Sequence, residues 1–282
     1  MPELPEVQTV VTQIGKKITG KTLVDFWTDW DKKVLEPVSK VKKLIKGAAV
    51  LGTRRFGKTI VIDLDNRYSI VIHLKMTGHL LYKDKDNEEA KEWRDPTNQF
   101  IHHRFQFTDG SRVDFSDMRK FGWVDMCQTE ALVKHRHIEK LGIDALSREF
   151  TSDMFRTFLD RSPKKPIGIL LLEQEKIAGI GNIYRSEALY RAGILPWRLS
   201  GALKPKEAMF LHAHIQQVLQ EAVRLRGTTD GDFRDTDGKR GSFQKRLYVY
   251  GRTGQPCKKC GTIIERKKIG SRSIFFCSAC QR

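Results

Sequence analysis

Four of the five cysteines stand as Cys257-x2-Cys260 and Cys277-x2-Cys280, with sixteen residues between the pairs. This is the two-knuckle spacing of a tetrahedral four-thiolate zinc site. With all four positions filled by protein, such a metal has no place for water, so its role is structural. Cys127 stands alone and reads as an ordinary buried thiol. The other end of the chain carries different chemistry. Glu3 and Glu6 lie three apart at a predicted helix start, on one face, where acids also complement the positive end of the helix dipole. Pro2 gives the pair a second reading. Methionine before a small residue is normally removed, and the α-amine so exposed has an ordinary pKa of about 7.7 to 8.0, leaving a sizeable fraction nucleophilic at neutral pH.

The elements that must position these groups follow from the periodicity. Val7, Val10, Val11 and Ile14 recur at helical spacing, and Gly15 and Gly20 bracket the expected end of that helix. From there to about residue 125 the pattern is mainly strands. Residues 59–64 and 68–74 flank a tight 65–67 connection, and 104–107 with 112–115 read as a second hairpin, so an antiparallel sandwich or barrel is the natural packing. Lys83 to Asn98 reads as a solvated loop. Residues 130–226 turn helical, with apolar 167–172, then Gly179-Ile180-Gly181, then helix again over 182–192. Between Gly227 and Gly241, four Asp and four Gly with almost no apolar residues predict a long flexible loop.

The chain of 282 residues exceeds the usual single domain. Its 51 Lys+Arg against 34 Asp+Glu give a formal net charge of +17, which points to polyanionic partners. Twelve of the cations and a single acid, Glu265, fall between Lys239 and Arg282, so the cysteine-bearing tail contributes +11 of that total. A hydrophobic content of 39% excludes a disordered polycation, and no apolar run approaches bilayer length. The N-terminus carries no secretory pattern, so a reducing cytoplasm without disulfides is expected.

MPELPE, Lys58, Met76, Asp117-Met-Arg119-Lys-Phe121-Gly122, Gly179-Ile-Gly-Asn182-Ile-Tyr184 and the four-cysteine tail, in this order, together resemble the bacterial formamidopyrimidine-DNA glycosylases over essentially the whole chain. The resemblance implies an α+β multidomain fold: an antiparallel β-sandwich with an N-terminal helix over 1–128, a linker and helix-two-turn-helix DNA-binding domain over 129–240, and a zinc-finger β-hairpin over 241–282. It implies a bifunctional glycosylase and AP lyase of base excision repair that removes oxidised purines, 8-oxoguanine and formamidopyrimidines, from double-stranded DNA and cuts the strand there and at abasic sites.

Carried over, it makes Pro2 the nucleophile on the sugar C1′, Glu3 the acid/base, Glu6 a supporting acceptor, and Lys58 the active-site lysine of β-elimination. Met76, Arg119 and Phe121 fill the hole left by the flipped base. Asn182, Arg119 and Arg272 hold DNA, Arg272 also serving the second elimination, while Cys257, Cys260, Cys277 and Cys280 bind one structural zinc. His102 or His103 is a candidate phosphate contact, a structural histidine being the other reading. A monomer in the bacterial cytoplasm, nucleoid-associated and without membrane partners, is expected.

The departures are local. Gly168 stands where many members carry a phosphate-binding lysine, with Lys164 and Lys165 near enough to substitute, and Glu173 stands where many have Asp. The expected lesion-covering loop, Thr228 to Phe243, contains Asp230, Asp232, Asp235 and Asp237. Two other readings stay open. An endonuclease VIII-type enzyme for oxidised pyrimidines is disfavoured by Leu4, and a non-catalytic zinc-containing DNA-damage-binding protein explains the charge but needs neither Pro2, Glu3 nor Lys58.

Overall fold

A computed structural model describes all residues, 1–282, as two compact units: residues 1–139 with 225–244, and residues 140–224 with 245–282. The expected limits at 128 and 240 therefore differ from this division, because the segment after residue 224 packs with the first unit.

The first unit is two four-stranded antiparallel sheets. Helix α1 (Leu4–Ile18) precedes β1 (Leu23–Thr28), α2 (Val38–Ile45), β2 (Val50–Phe56), β3 (Thr59–Leu64), β4 (Tyr68–His73), β5 (His79–Lys83), β6 (Ile101–Phe107), β7 (Arg112–Ser116) and β8 (Trp123–Gln128). The sheets run β1-β6-β7-β5 and β2-β3-β4-β8. Alternation along β3 explains the layering. Ile60, Ile62 and Leu64 join Val7, Val10 and Ile14 of α1 and Phe105 and Phe115 of the other sheet in the main core, while Val61 faces a second cluster with Val71, Trp123, Leu132 and Ile138. α1 runs on through Gly15, because a Cβ there would collide with the Thr53 hydroxyl: the glycine permits close helix-on-strand packing and does not end the helix.

The expected flexible loop is also different. Phe233 enters the main core, Arg234, Asp235 and Thr236 are buried, and Asp235 accepts from Arg226 at 3.0 Å. Asp237 pairs with Lys17, and Gln13 of α1 accepts from Thr236. Arg234, 1% exposed, donates twice to Asp95 at 2.8 and 2.9 Å and also to the Gly231 and Phe233 carbonyls. Asp95 lies within the stretch read as a solvated loop, which instead holds two short helical turns, Lys91–Arg94 and Pro96–Gln99, over a buried Trp93. Burial of Asp95 works against its charge, but hydrogen bonds from Thr97 and Arg234 hold its carboxyl at about 2.

The second unit contains β9 (Ile143–Asp144), α3 (Ser152–Asp160), α4 (Ile167–Leu170), β10 (Ile177–Ala178), α5 (Asn182–Arg191) and α6 (Pro205–Arg224), then the hairpin of β11 (Glu265–Ile269) and β12 (Arg272–Phe276). α5 is buried nearly throughout. Its Glu187 carboxylate, inaccessible to solvent, accepts the backbone N–H groups of Tyr248, Val249 and Tyr250 at 2.9 to 3.1 Å, so the helix fixes the chain as it enters the zinc tail. No helix is long and apolar enough to cross a membrane.

If Arg234 holds the 228–243 segment down, Arg234→Ala should cost about 2 kcal/mol, the usual worth of hydrogen bonds to a charged group. Thermal unfolding and amide exchange check this: exchange should rise at 228–243 and not in β3 or β4, and unchanged protection there would show that Phe233 alone anchors the segment.

Candidate active site

Both N-terminal carboxylates are buried, Glu3 and Glu6 each 1% exposed, beside a buried Pro2. Glu6 is committed to backbone: its two oxygens accept the N–H of Glu3 at 2.7 Å and of Thr228 at 2.6 Å. Gly227, at φ +76°, lies so close that a Cβ would stand 2.6 Å from a Glu6 oxygen. The helix start and the base of the 228–243 segment are thus held by one side chain. Lys58 sits in the two-residue turn between β2 and β3, made possible by Gly57 at φ +55°. Arg55 ties that turn to α1, donating to Gln8 Oε1 and to the Gly57 carbonyl, both at 2.8 Å.

His73 stands directly across from Thr59 in the β3–β4 ladder. Its Nδ1 accepts the Lys75 N–H at 2.9 Å, which leaves the proton on Nε2. Burial, with Lys75 and Lys58 nearby, holds its pKa down at about 3, so the ring is a neutral N–H donor in a cationic neighbourhood.

The three expected insertion residues come from two loops that one carboxylate joins. Met76 lies in the turn after β4, and Arg119 and Phe121 in the 117–122 loop. Buried Asp117 accepts from the Thr77 hydroxyl and, at 2.7 Å, from the Gly122 N–H, while the Arg119 N–H donates to Thr77 Oγ1 at 3.1 Å. Above this knot the Arg119 guanidinium stacks on the Phe121 ring at 4.6 Å, and Phe121 is 43% exposed.

In the second unit, Gln174 shapes the glycine turn before α5, accepting from Gly179 N at 3.0 Å and donating to the Ile180 carbonyl at 2.8 Å. Asn182 opens α5, so its side-chain amide lies beside the backbone N–H groups of the helix's first turn. Arg272 is exposed at the turn of the β11–β12 hairpin. Lys164 is exposed on the connection before α4, but Lys165 is taken by Glu173, which also holds Lys176 at 2.9 Å. Gly168 packs under Pro196, whose carbonyl would lie 2.8 Å from a Cβ, so no larger residue fits without movement.

The four cysteine sulfurs lie within 4.8 Å of one another, with pairs at 3.4, 3.5 and 3.9 Å. A tetrahedron of thiolates about 2.3 Å from zinc has edges of about 3.8 Å, so the set fits the metal.

Family models match in chain order: the formamidopyrimidine-DNA glycosylase N-terminal domain over 1–124, the H2TH domain of the same enzymes over 141–233, and a zinc finger found in FPG and IleRS over 254–282. The formamidopyrimidine-DNA glycosylase of Pelotomaculum thermopropionicum is 38% identical over all of this chain and 99% of its own. The chain belongs to the formamidopyrimidine-DNA glycosylase family. Among solved structures, Lactococcus lactis Fpg bound to DNA containing an abasic site has a TM-score of 0.88 at 31% identity, with 99% of each chain covered. The same wild-type enzyme with DNA containing N7-benzyl-Fapy-dG has a TM-score of 0.87 at 32% identity over all of both chains. Like its family, the protein is a DNA glycosylase of base excision repair and an AP lyase, with one structural zinc.

Within this glycosylase not every expected site residue faces outward. His102 is buried in β6, its Nδ1 on Asp29 at 2.8 Å and its Nε2 enclosed, and His103 is buried beside Phe26 and Phe115. We assign neither a phosphate. His73 is the histidine the sequence reading passed over; its place beside the Lys58 turn follows from strand register, visible only once the hairpin is paired. Cys127 is half-buried, with burial pushing its thiol up to about 11, consistent with an inert side chain.

The Tyr190 hydroxyl lies 3.2 Å from Cys257 Sγ while its ring stacks on Tyr248 at 5.2 Å. Tyr190→Phe removes that donor alone, and in a chelator competition should weaken zinc retention by about tenfold; undiminished retention would show that packing, not the hydrogen bond, supports the metal.

Proposed function

We propose that the processed N-terminal proline is the nucleophile and that oxidised purines are the preferred substrates. The observation that carries this reading is the fixed first turn of α1, where Glu3 and Glu6 form a reciprocal capping box that satisfies the Glu3 N–H and leaves the adjacent Pro2 nitrogen outside it, to react once Met1 is gone. The Pro2 amine displaces the damaged base at C1′, the departing base taking a proton, with Glu3 as the proton carrier. The amine nitrogen then gives up its proton and its lone pair forms the C1′=N bond as the C1′–O4′ bond breaks, O4′ taking a proton and staying on C4′ as a hydroxyl, which yields the ring-opened iminium. That cation acidifies the C2′ proton, so a base expels the 3′ phosphate, and a second elimination from C4′ expels the 5′ phosphate.

Lys58 and His73 are the phosphate partners of the first unit in this reading, one a cation and one a neutral N–H donor. Met76, Arg119 and Phe121 occupy the gap left by the base, which costs a few kcal/mol of lost stacking to open. Asn182 and Arg272 grip the backbone from the second unit, Arg272 serving the second elimination, and Lys164 is available for a peripheral contact. The Lactococcus lactis relative is solved with DNA containing N7-benzyl-Fapy-dG, which supports a purine lesion here, and also with DNA containing an oxidised pyrimidine, the alternative that the test below separates.

The test is borohydride trapping on a duplex with 8-oxoguanine opposite cytosine. A lesion-dependent covalent adduct mapping to Pro2 is expected, and Pro2→Gly or verified retention of Met1 should abolish strand cutting. Normal cutting with Met1 present by mass spectrometry would overturn the assignment, and an adduct confined to oxidised-pyrimidine duplexes would move the substrate class.

His73 supplies a pH test. Its folded pKa lies below the ordinary 6.5, so its contribution to stability is present above 6.5 and is lost as pH falls toward about 3. As a neutral donor it should be worth about tenfold in affinity for an abasic duplex. The ratio between wild type and His73→Ala should be the same at pH 5.5 and 7.5, and a ratio that climbs with a midpoint near 6.5 would mean that the imidazolium binds.

A further inference from the structure

Arg185 heads the fully buried side chains of the molecule, with no accessible surface. It lies on α5, one turn from Asn182, and its fork reaches three elements. Nη1 donates to the Gly168 carbonyl of α4 at 2.7 Å, while Nη2 donates to the Asn182 side-chain oxygen and, at 2.9 Å, to the Ser273 carbonyl of β12. Two consequences follow. An amide whose oxygen is held by a guanidinium must turn its NH2 the other way, so Asn182 presents donors and not an acceptor. Ser273 adjoins Arg272, and its hydroxyl also accepts from Arg266 at 2.8 and 2.9 Å, so the strand carrying Arg272 is gripped from both the backbone and the side chain.

We propose that Arg185 is a positioning residue for catalysis: it sets the donor face of Asn182 and the reach of Arg272 together, and so couples DNA grip to the second elimination. This deepens the reading above and rests on the roles assigned there to Asn182 and Arg272. A planar fork is required, because a single ammonium cannot hold acceptors on three elements in fixed directions.

The experiment compares zinc-loaded wild type with Arg185→Lys. Three quantities are read: affinity for a duplex with a stable abasic analogue, the division of strand-cleavage products between single and double elimination, and borohydride adduct yield at saturating DNA. Arg185→Lys should bind about tenfold more weakly and accumulate the single-elimination product, with adduct yield unchanged because Pro2 belongs to the other unit. Adding Asn182→Ala should then cost less than it does in wild type. A folded Arg185→Lys protein with wild-type affinity and product division would overturn the proposal.

Should that variant lose zinc or fold, the wild-type protein answers by NMR. Slowly exchanging, separately resolved Arg185 guanidinium protons and a protected Asn182 amide are expected at neutral pH, and averaged, rapidly exchanging signals would overturn it. The affinity readout needs no turnover, so it judges Arg185 even if wild type forms no adduct, the result that would instead sink the Pro2 reading.

Discussion

If, as proposed, the chain terminus supplies the nucleophile, its helix start must be held rigidly while the terminal nitrogen stays outside the capping bonds, and Glu6 meets this constraint with one carboxylate. By accepting the Glu3 N–H it supplies the hydrogen bond that a helix start lacks, and the carboxylate sits where the helix dipole favours it. Its second oxygen takes the Thr228 N–H, 222 residues away. Everything between Gly227 and Phe243 is arranged around that contact: the glycine that allows close approach, Phe233 in the core, and the paired Arg234, Asp235 and Asp237. The acids that seem out of place beside a polyanion are in part internal fasteners, with Asp235 wholly enclosed.

The same economy recurs. Asp117 joins the Met76 loop to the Arg119–Phe121 loop, Glu187 gathers three consecutive N–H groups at the entry to the zinc tail, and Arg185 gathers acceptors from three elements. Each is a buried ionisable group whose hydrogen-bonding capacity is used on other parts of the chain, and this is what makes burial tolerable. The exposed cations are left for DNA.

Much of this was legible in the residues. The β3–β4 and β6–β7 hairpins follow from alternation and tight turns, the zinc site from cysteine spacing, and the carboxylate pair from its place before an apolar helix. What escaped depends on partners distant in sequence. Gly15 reads as a terminator until Thr53 is seen beside it, and the 227–241 stretch reads as flexible because its anchors, Glu6, Gln13, Lys17 and Asp95, lie far upstream. Composition cannot tell a buried aspartate from a solvated one. His102 looked available because its face of the strand could not be assigned, whereas His73 became a candidate only through register with Thr59.

The path of the chain between units bears on how the enzyme is made. The first unit is finished only by residues 225–244, after most of the second has already been synthesised. At ordinary translation speeds of about 5–20 residues per second, Glu6 waits on the order of tens of seconds for Thr228 to emerge. During that interval the nascent N-terminus lacks the hydrogen bond that later ties Glu6 to Thr228. Late completion of an early unit thus places the last fastening of its first helix after synthesis of most of the second unit, using nothing but the order of the sequence.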